Sequence, residues 1–194
     1  MQEFHALLEL LAMLVLDPRT AVLIALLVVA GITDYRTYRI PNWLTFGGAA
    51  FALIYKTVIA ASPGSACLMA SGGLLLGFVI MLPPYVLGVM GAGDVKLMAM
   101  VGAFLGADET LEAVLFTFIA GGMAALAFGL FRGKLRRMLR NTKDVVHGMV
   151  LSAMVGVRPD VEVEAVRSVG KLPYGVCISV GTIAYVLGRQ LGYA

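Results

Sequence analysis

Charge is scarce in this sequence. Asp, Glu, Lys and Arg make up 14% of its 194 residues, 60% are hydrophobic, and the mean hydropathy is +0.90. Soluble domains carry roughly 25% charged residues, so the balance excludes an ordinary soluble domain and points to a membrane protein. Histidine is rarer still. His5 and His147 are the only two, no H-E-x-x-H occurs, and no His or carboxylate follows His147 at three or four positions. His147 therefore reads as an interfacial residue, and no metal or other cofactor is expected. Cys67 and Cys177 lie far apart in apolar segments and form no C-x-x-C pair, which leaves them as small core residues. G-x-S-x-G is absent as well, so a serine nucleophile elbow is excluded. The opening "MQEFHALLELLAMLVLDPRT" has no basic leader and carries Glu3 and Glu9, a poor match to a cleavable signal peptide, so it is expected to be retained.

What the sequence has is long apolar runs. A helix needs about 20 apolar residues to cross a bilayer upright. On that scale spans are expected near residues 19–36, 42–60, 66–90, 94–107, 110–131 and 173–191. The fourth is short, and should be wrapped by its neighbours or begin in a water-filled cavity. Residues 4–16, cut off by Asp17-Pro18, are too short to span and suit a helix lying along the surface within residues 1–18. The expected fold is all-α: one membrane-embedded domain over residues 1–194, a polytopic bundle of about six transmembrane helices with an N-terminal surface helix and a cytoplasmic interfacial helix.

Lys and Arg set the orientation. If the loop after the first span is cytoplasmic, that side collects Arg36, Arg39, Lys96, Arg132, Lys134, Arg136, Arg137, Arg140, Lys143, Arg158, Arg167 and Lys171. Arg19, Lys56 and Arg189 remain for the far side, twelve against three. The net charge of +3 and pI of about 9.0 thus express topology, and a nucleic-acid partner is not expected. Residues 132–172 form the longest non-spanning stretch. Its basic part, residues 132–150, suits an interfacial helix held by anionic lipid, and "RPDVEVEAVRSVGK" reads as polar loop.

Two acids then stand out on the cytoplasmic side. Asp34 ends the first apolar run in "TDYRTYRIPNW". Asp94 stands in "LPPYVLGVMGAGDVKL", where Pro83-Pro84 ends or kinks the third helix, Gly88, Gly91 and Gly93 break regularity, and Asp94 falls at the expected N-cap of the fourth helix. The glycine spacing matches neither phosphate-binding pattern. Either acid alone is most simply a helix-boundary charge. As a pair at one membrane face they are costly, and such acids tend to face a cavity or each other. Two carboxyls that meet share a proton, so that one activates a water and the other polarises a carbonyl, which is peptide hydrolysis without a metal or covalent nucleophile.

At these residues the chain resembles a known family. "DYRTYRIPN" is similar to the first aspartate motif of the type IV prepilin peptidases, and "GAGDVKL" to their second, G-x-G-D, 60 positions on. "KLPYGVCISVG" is similar to the family's late PYG segment. The resemblance implies that Asp34 and Asp94 are the catalytic pair of an aspartyl endopeptidase. It implies that Ile40, Pro41, Asn42, Gly91, Gly93 and Lys96 shape the motif loops, with Lys96 tuning charge near Asp94. It also implies the substrate: a prepilin or pseudopilin precursor whose basic leader is removed at the cytoplasmic face of the inner membrane. The paired C-x-x-C motifs of the family's N-methylating relatives are missing, so the likeness is to the short, peptidase-only branch associated with tight-adherence (Flp-type) pili. Two other classes fit a pair of intramembrane acids. A proton- or cation-coupled transporter should show repeat symmetry, which the spans at 42–60 and 110–131 lack. An inactive structural subunit of a secretion assembly would keep the motifs without needing the carboxyls.

Overall fold

The computed structural model of the chain describes residues 17–131 and 173–192. The expected surface helix at residues 4–16 and the basic insert at 132–172, with His5 and His147, lie outside the described residues. Those described form six helices and no strand: α1 (Pro18–Thr37), α2 (Asn42–Ile59), α3 (Pro63–Val86), α4 (Ala92–Leu105), α5 (Ala107–Phe131) and α6 (Tyr174–Gln190). The chain divides into two units, residues 1–121 with 173–194, and residues 122–172. Of the second, the described part is the last turns of α5. The first holds the candidate site.

α1, α3 and α5 as far as Phe128 are long and apolar enough to cross a membrane. Their outward side chains agree with a lipid surround: Leu68, Leu75, Val79 and Leu115 are exposed. Water-soluble surfaces rarely tolerate so much apolar area. The protein is a membrane protein. In lipid no water satisfies a bare backbone, so these apolar runs must be helical to pair their own amides and carbonyls.

The helix ends are written locally. Asp17 caps α1, its carboxylate accepting from the Arg19 amide at 3.1 Å and the Thr20 hydroxyl at 2.7 Å, with Pro18 in the first turn. α1 stops at Tyr38, whose left-handed backbone (φ 52°) lets its N–H donate to the Asp34 carbonyl at 2.8 Å. Pro41 then opens α2, its carbonyl accepting from the Leu44 amide at 3.2 Å. Pro83 and Pro84 fall inside the last turn of α3, which ends four residues short of the expected boundary.

α4 is the hub. Its 14 residues cover only about 21 Å at 1.5 Å each, too little for a hydrocarbon core of roughly 30 Å. Every residue from Leu97 to Leu105 is buried, so the short helix is wrapped by neighbours as its length requires. It packs most closely against α3, where Gly73 and Gly102 face each other so tightly that a Cβ on either would overlap the other's backbone carbonyl. With lipid outside there is little hydrophobic drive between helices, and close backbone approach through small residues supplies the attraction. Ala70, Gly73, Gly77 and Met81 make the buried stripe of α3. Cys67 continues that stripe but stands beyond the level of Gly106, where α4 has already ended, so it is exposed and not the core residue expected. Cys177 is buried. On another side, the Ser179 hydroxyl of α6 donates to the Leu27 carbonyl of α1 at 2.8 Å.

The Gly73–Gly102 contact gives a direct test. Gly102→Ala is expected to destabilise the protein by about 1 to 3 kcal/mol, the usual range for overpacking, read as a lower melting temperature in detergent or nanodiscs. Gly47→Ala, where nothing stands within 4 Å, is expected to leave the melting temperature within a degree or two of the parent.

Candidate active site

Among the described charged residues, two are buried: Asp34 at 5% exposure and Asp94 at 7%. They reach one place from helices that run in from different parts of the chain. Asp34 sits one turn before the end of α1, held by the Tyr38 cap on its own carbonyl. Asp94 lies in the first turn of α4, at the third helical position and not at the N-cap that the sequence suggests. Gly91 is the cap; its N–H donates to Asp94 Oδ2 at 2.9 Å, and the Asp94 amide donates back to the Gly91 carbonyl at 3.1 Å. The reciprocal pair satisfies two end groups of α4 and pins the carboxylate at the positive helix terminus.

Asp34 has a similar neighbour in trans. The first amides of α6, those of Gly175 and Val176, face its carboxylate. Its Oδ2 nevertheless makes no hydrogen bond of ordinary geometry, leaving a buried oxygen with capacity to accept one. Gly175 explains how the helix comes so near: a Cβ there would stand 2.8 Å from Asp34 Oδ2 and 2.9 Å from Ile40 Cδ1. Only glycine leaves room for the carboxyl between α1 and the start of α6.

Both aspartates line one cavity of about 300 Å³, with Tyr38, Arg39, Ile40, Asn42, Gly91, Ala92 and Gly93. No direct hydrogen bond joins them, but they lie within electrostatic reach of each other. Ile40 is buried and wedged between two glycines; a Cβ on Gly93 would meet Ile40 Cβ at 3.3 Å. It thereby fixes the loop after α1 against the starts of both α4 and α6. Lys96, two residues after Asp94, reaches across to the other motif. Its ammonium points to the first motif, donating to Asn42 Oδ1 at 3.0 Å and standing 5.3 Å above the Phe46 ring. Among the described residues no group of three or more His, Cys, Asp or Glu is placed to hold a metal ion.

The opposite end of α1 carries a different polar group. A cavity of about 260 Å³ there is lined by Asp17, Arg19, Glu109 and Arg189 among others, and Arg189 pairs with Glu109 at 2.5 Å. Lys56 lies within electrostatic reach of Arg19 and Glu109. All three cations assigned to the far side thus gather away from the aspartates, separated by the roughly 25 Å that seventeen helical residues span.

The model of the type IV leader peptidase family matches residues 21–126, just over half of the chain. The chain belongs to the type IV leader peptidase family. It is accordingly a peptidase, and the matched stretch contains both aspartates and both motif loops. No curated protein and no solved structure matches the chain. The leader-peptidase match stops short of α6, so the fold alone shows what "KLPYG" contributes: Gly175, which sequence reasoning passed over as a site residue, is the contact that admits Asp34. A proline and an aromatic directly before a glycine at a helix start were the available signal. Tyr38 and Arg39 were likewise not assigned to the site, Arg39 being read as a topological charge.

Gly175→Ala is expected to lower peptidase activity about tenfold or more while the helix content is kept, because sub-ångström misplacement of a reacting group is costly. Gly188→Ala on the same helix, with nothing within 4 Å, serves as the control and is expected to retain full activity.

Proposed function

We propose that this chain is an aspartyl endopeptidase that removes the basic leader of a prepilin-like precursor at the cytoplasmic face of the inner membrane. One observation carries the reading: two aspartates 60 positions apart are the buried charges of the described residues, and they line the same cavity. An apolar bundle has no packing reason to bury two like charges together.

The chemistry follows from the pair. With one carboxyl ionised and the other protonated, the carboxylate takes a proton from a water between them, and the resulting hydroxide adds to the scissile carbonyl carbon. The protonated carboxyl gives its proton to the carbonyl oxygen, forming a neutral gem-diol. Collapse returns the gem-diol proton to that second carboxyl and passes the proton held by the first to the leaving nitrogen. The C–N bond breaks, and both groups regain their starting states. The orphan Oδ2 of Asp34 offers the acceptor such a water needs.

The side of action rests on charge. The sequence reading of six spans assigns twelve of fifteen cations to the side of the aspartates, and the gathering of Arg19, Lys56 and Arg189 at the other end of the described helices agrees with that reading. A substrate with a basic leader ahead of a hydrophobic helix would meet such a site as it leaves the bilayer.

Co-expression with a candidate precursor checks the reading. Asp34→Asn and Asp94→Asn are each expected to drop leader cleavage below detection on an immunoblot, with the protein inserted at the parent level. Full cleavage by either variant would overturn it. The parent's activity is expected to follow a bell in pH whose two limbs belong to the pair, and a flat profile from mildly acid to neutral pH would count against the pair.

A further inference from the structure

Hydrolysis by a carboxyl pair also needs something to hold the peptide carbonyl where the water can reach it. The cavity offers three polar side chains besides the aspartates: Tyr38, Arg39 and Asn42. Of these, Asn42 is the one whose amide is locked by a partner. Its Oδ1 accepts from Lys96 Nζ at 3.0 Å, and the Lys96 ammonium stands 5.3 Å above Phe46, one turn along α2 from Asn42. An ammonium only donates, so it decides which end of the amide faces it. The oxygen is committed to Lys96, and the NH2 end is left with no hydrogen bond among the described residues.

We propose that the Asn42 NH2 donates to the carbonyl oxygen of the substrate peptide in the aspartate cavity, and that Lys96 is the positioning residue that turns it there. The inference rests on the hydrolytic reading above. A donor held before substrate arrives stabilises charge developing on the carbonyl oxygen without reorganising. Asn42 is exposed like Arg39 but is short and tied to Lys96, whereas the longer Arg39 makes no hydrogen bond through its side chain among the described residues and must be ordered first. Asn also brings no charge: it adds a donor beside the carboxyls and leaves their shared proton alone. Lys96 lies two residues after Asp94, and Asn42 begins the helix that follows the Asp34 loop. The one hydrogen bond therefore registers the donor against both aspartates.

Steady-state kinetics on the full-length protein in nanodiscs test this, with a synthetic peptide of basic leader and hydrophobic helix as probe. Asn42→Ala and Asn42→Asp are both expected to lower kcat by about a hundredfold to a thousandfold with KM within about twofold, the order that one preorganised donor to a reacting carbonyl oxygen is worth. Asn42→Asp keeps an acceptor for Lys96, so the helix ends stay tied while the NH2 is lost. Lys96→Met is expected to lower kcat about tenfold, Lys96→Arg to restore most of it, and the Asn42→Ala/Lys96→Met double variant to be no slower than Asn42→Ala within about twofold. An Asn42→Ala kcat within twofold of the parent overturns the donor assignment, whatever Asn42→Asp does. Losses that multiply in the double variant, or a Lys96→Met effect confined to KM, overturn the positioning role. Asp94→Asn run alongside separates the two readings: cleavage by it sinks the aspartyl mechanism, while its silence beside an active Asn42→Ala sinks the donor alone.

Discussion

A carboxylate inside an apolar bundle is tolerated where something of positive character faces it, and here that something is the start of a helix, twice. Asp94 is held by the amide that caps its own helix, and Asp34 faces the first amides of α6. Helix termini contribute about 0.3 to 1 kcal/mol to a nearby charge, up to roughly 2 in partly buried geometry. That does not cancel the cost of burial, but it selects these positions over any mid-helix site. The arrangement demands that α4 and α6 both begin at the level where α1 ends.

The rest of the scaffold meets that demand. α4 is too short to reach across a bilayer, so it needs a partner to set its depth, and the Gly73–Gly102 contact with α3 sets it. Ile40 does the equivalent work between the loop after α1 and the starts of α4 and α6. Gly175 then lets α6 close over Asp34. Each contact acts through backbone or aliphatic atoms at near van der Waals distance, where a missing or added methyl group decides whether elements meet. At the other end of α1, Arg189 with Glu109, and Asp17 with the first turn, finish the helices in a polar layer.

Much of this was legible in the residues. The six apolar runs matched six helices with ends shifted by a few residues, because a 20-residue apolar stretch in lipid has one backbone solution. The shifts have local causes: Tyr38 takes a left-handed backbone that no composition rule singles out, and Pro83 and Pro84 were absorbed in a last turn. Asp34 and Asp94 could be paired because both fall where an apolar run gives way to a stretch rich in glycine, proline or charge. Lys96 was harder. Its nearness in sequence to Asp94 suggested an electrostatic neighbour, yet at two residues along a helix its side chain points to a different face, toward Asn42 and Phe46.

Sequence alone therefore determined the solvent in which this chain folds, the helical form of each apolar run, and which two acids stand where those runs break. These follow from composition and from order along the chain. Only the tertiary structure decided that the two acids share a cavity, that α6 comes back to cover one of them through Gly175, and that Lys96 ties the two motif loops together. Those facts depend on contacts between residues 54 to 141 positions apart, such as Asn42 with Lys96 and Asp34 with Gly175, set by close packing whose tolerance is a fraction of an ångström.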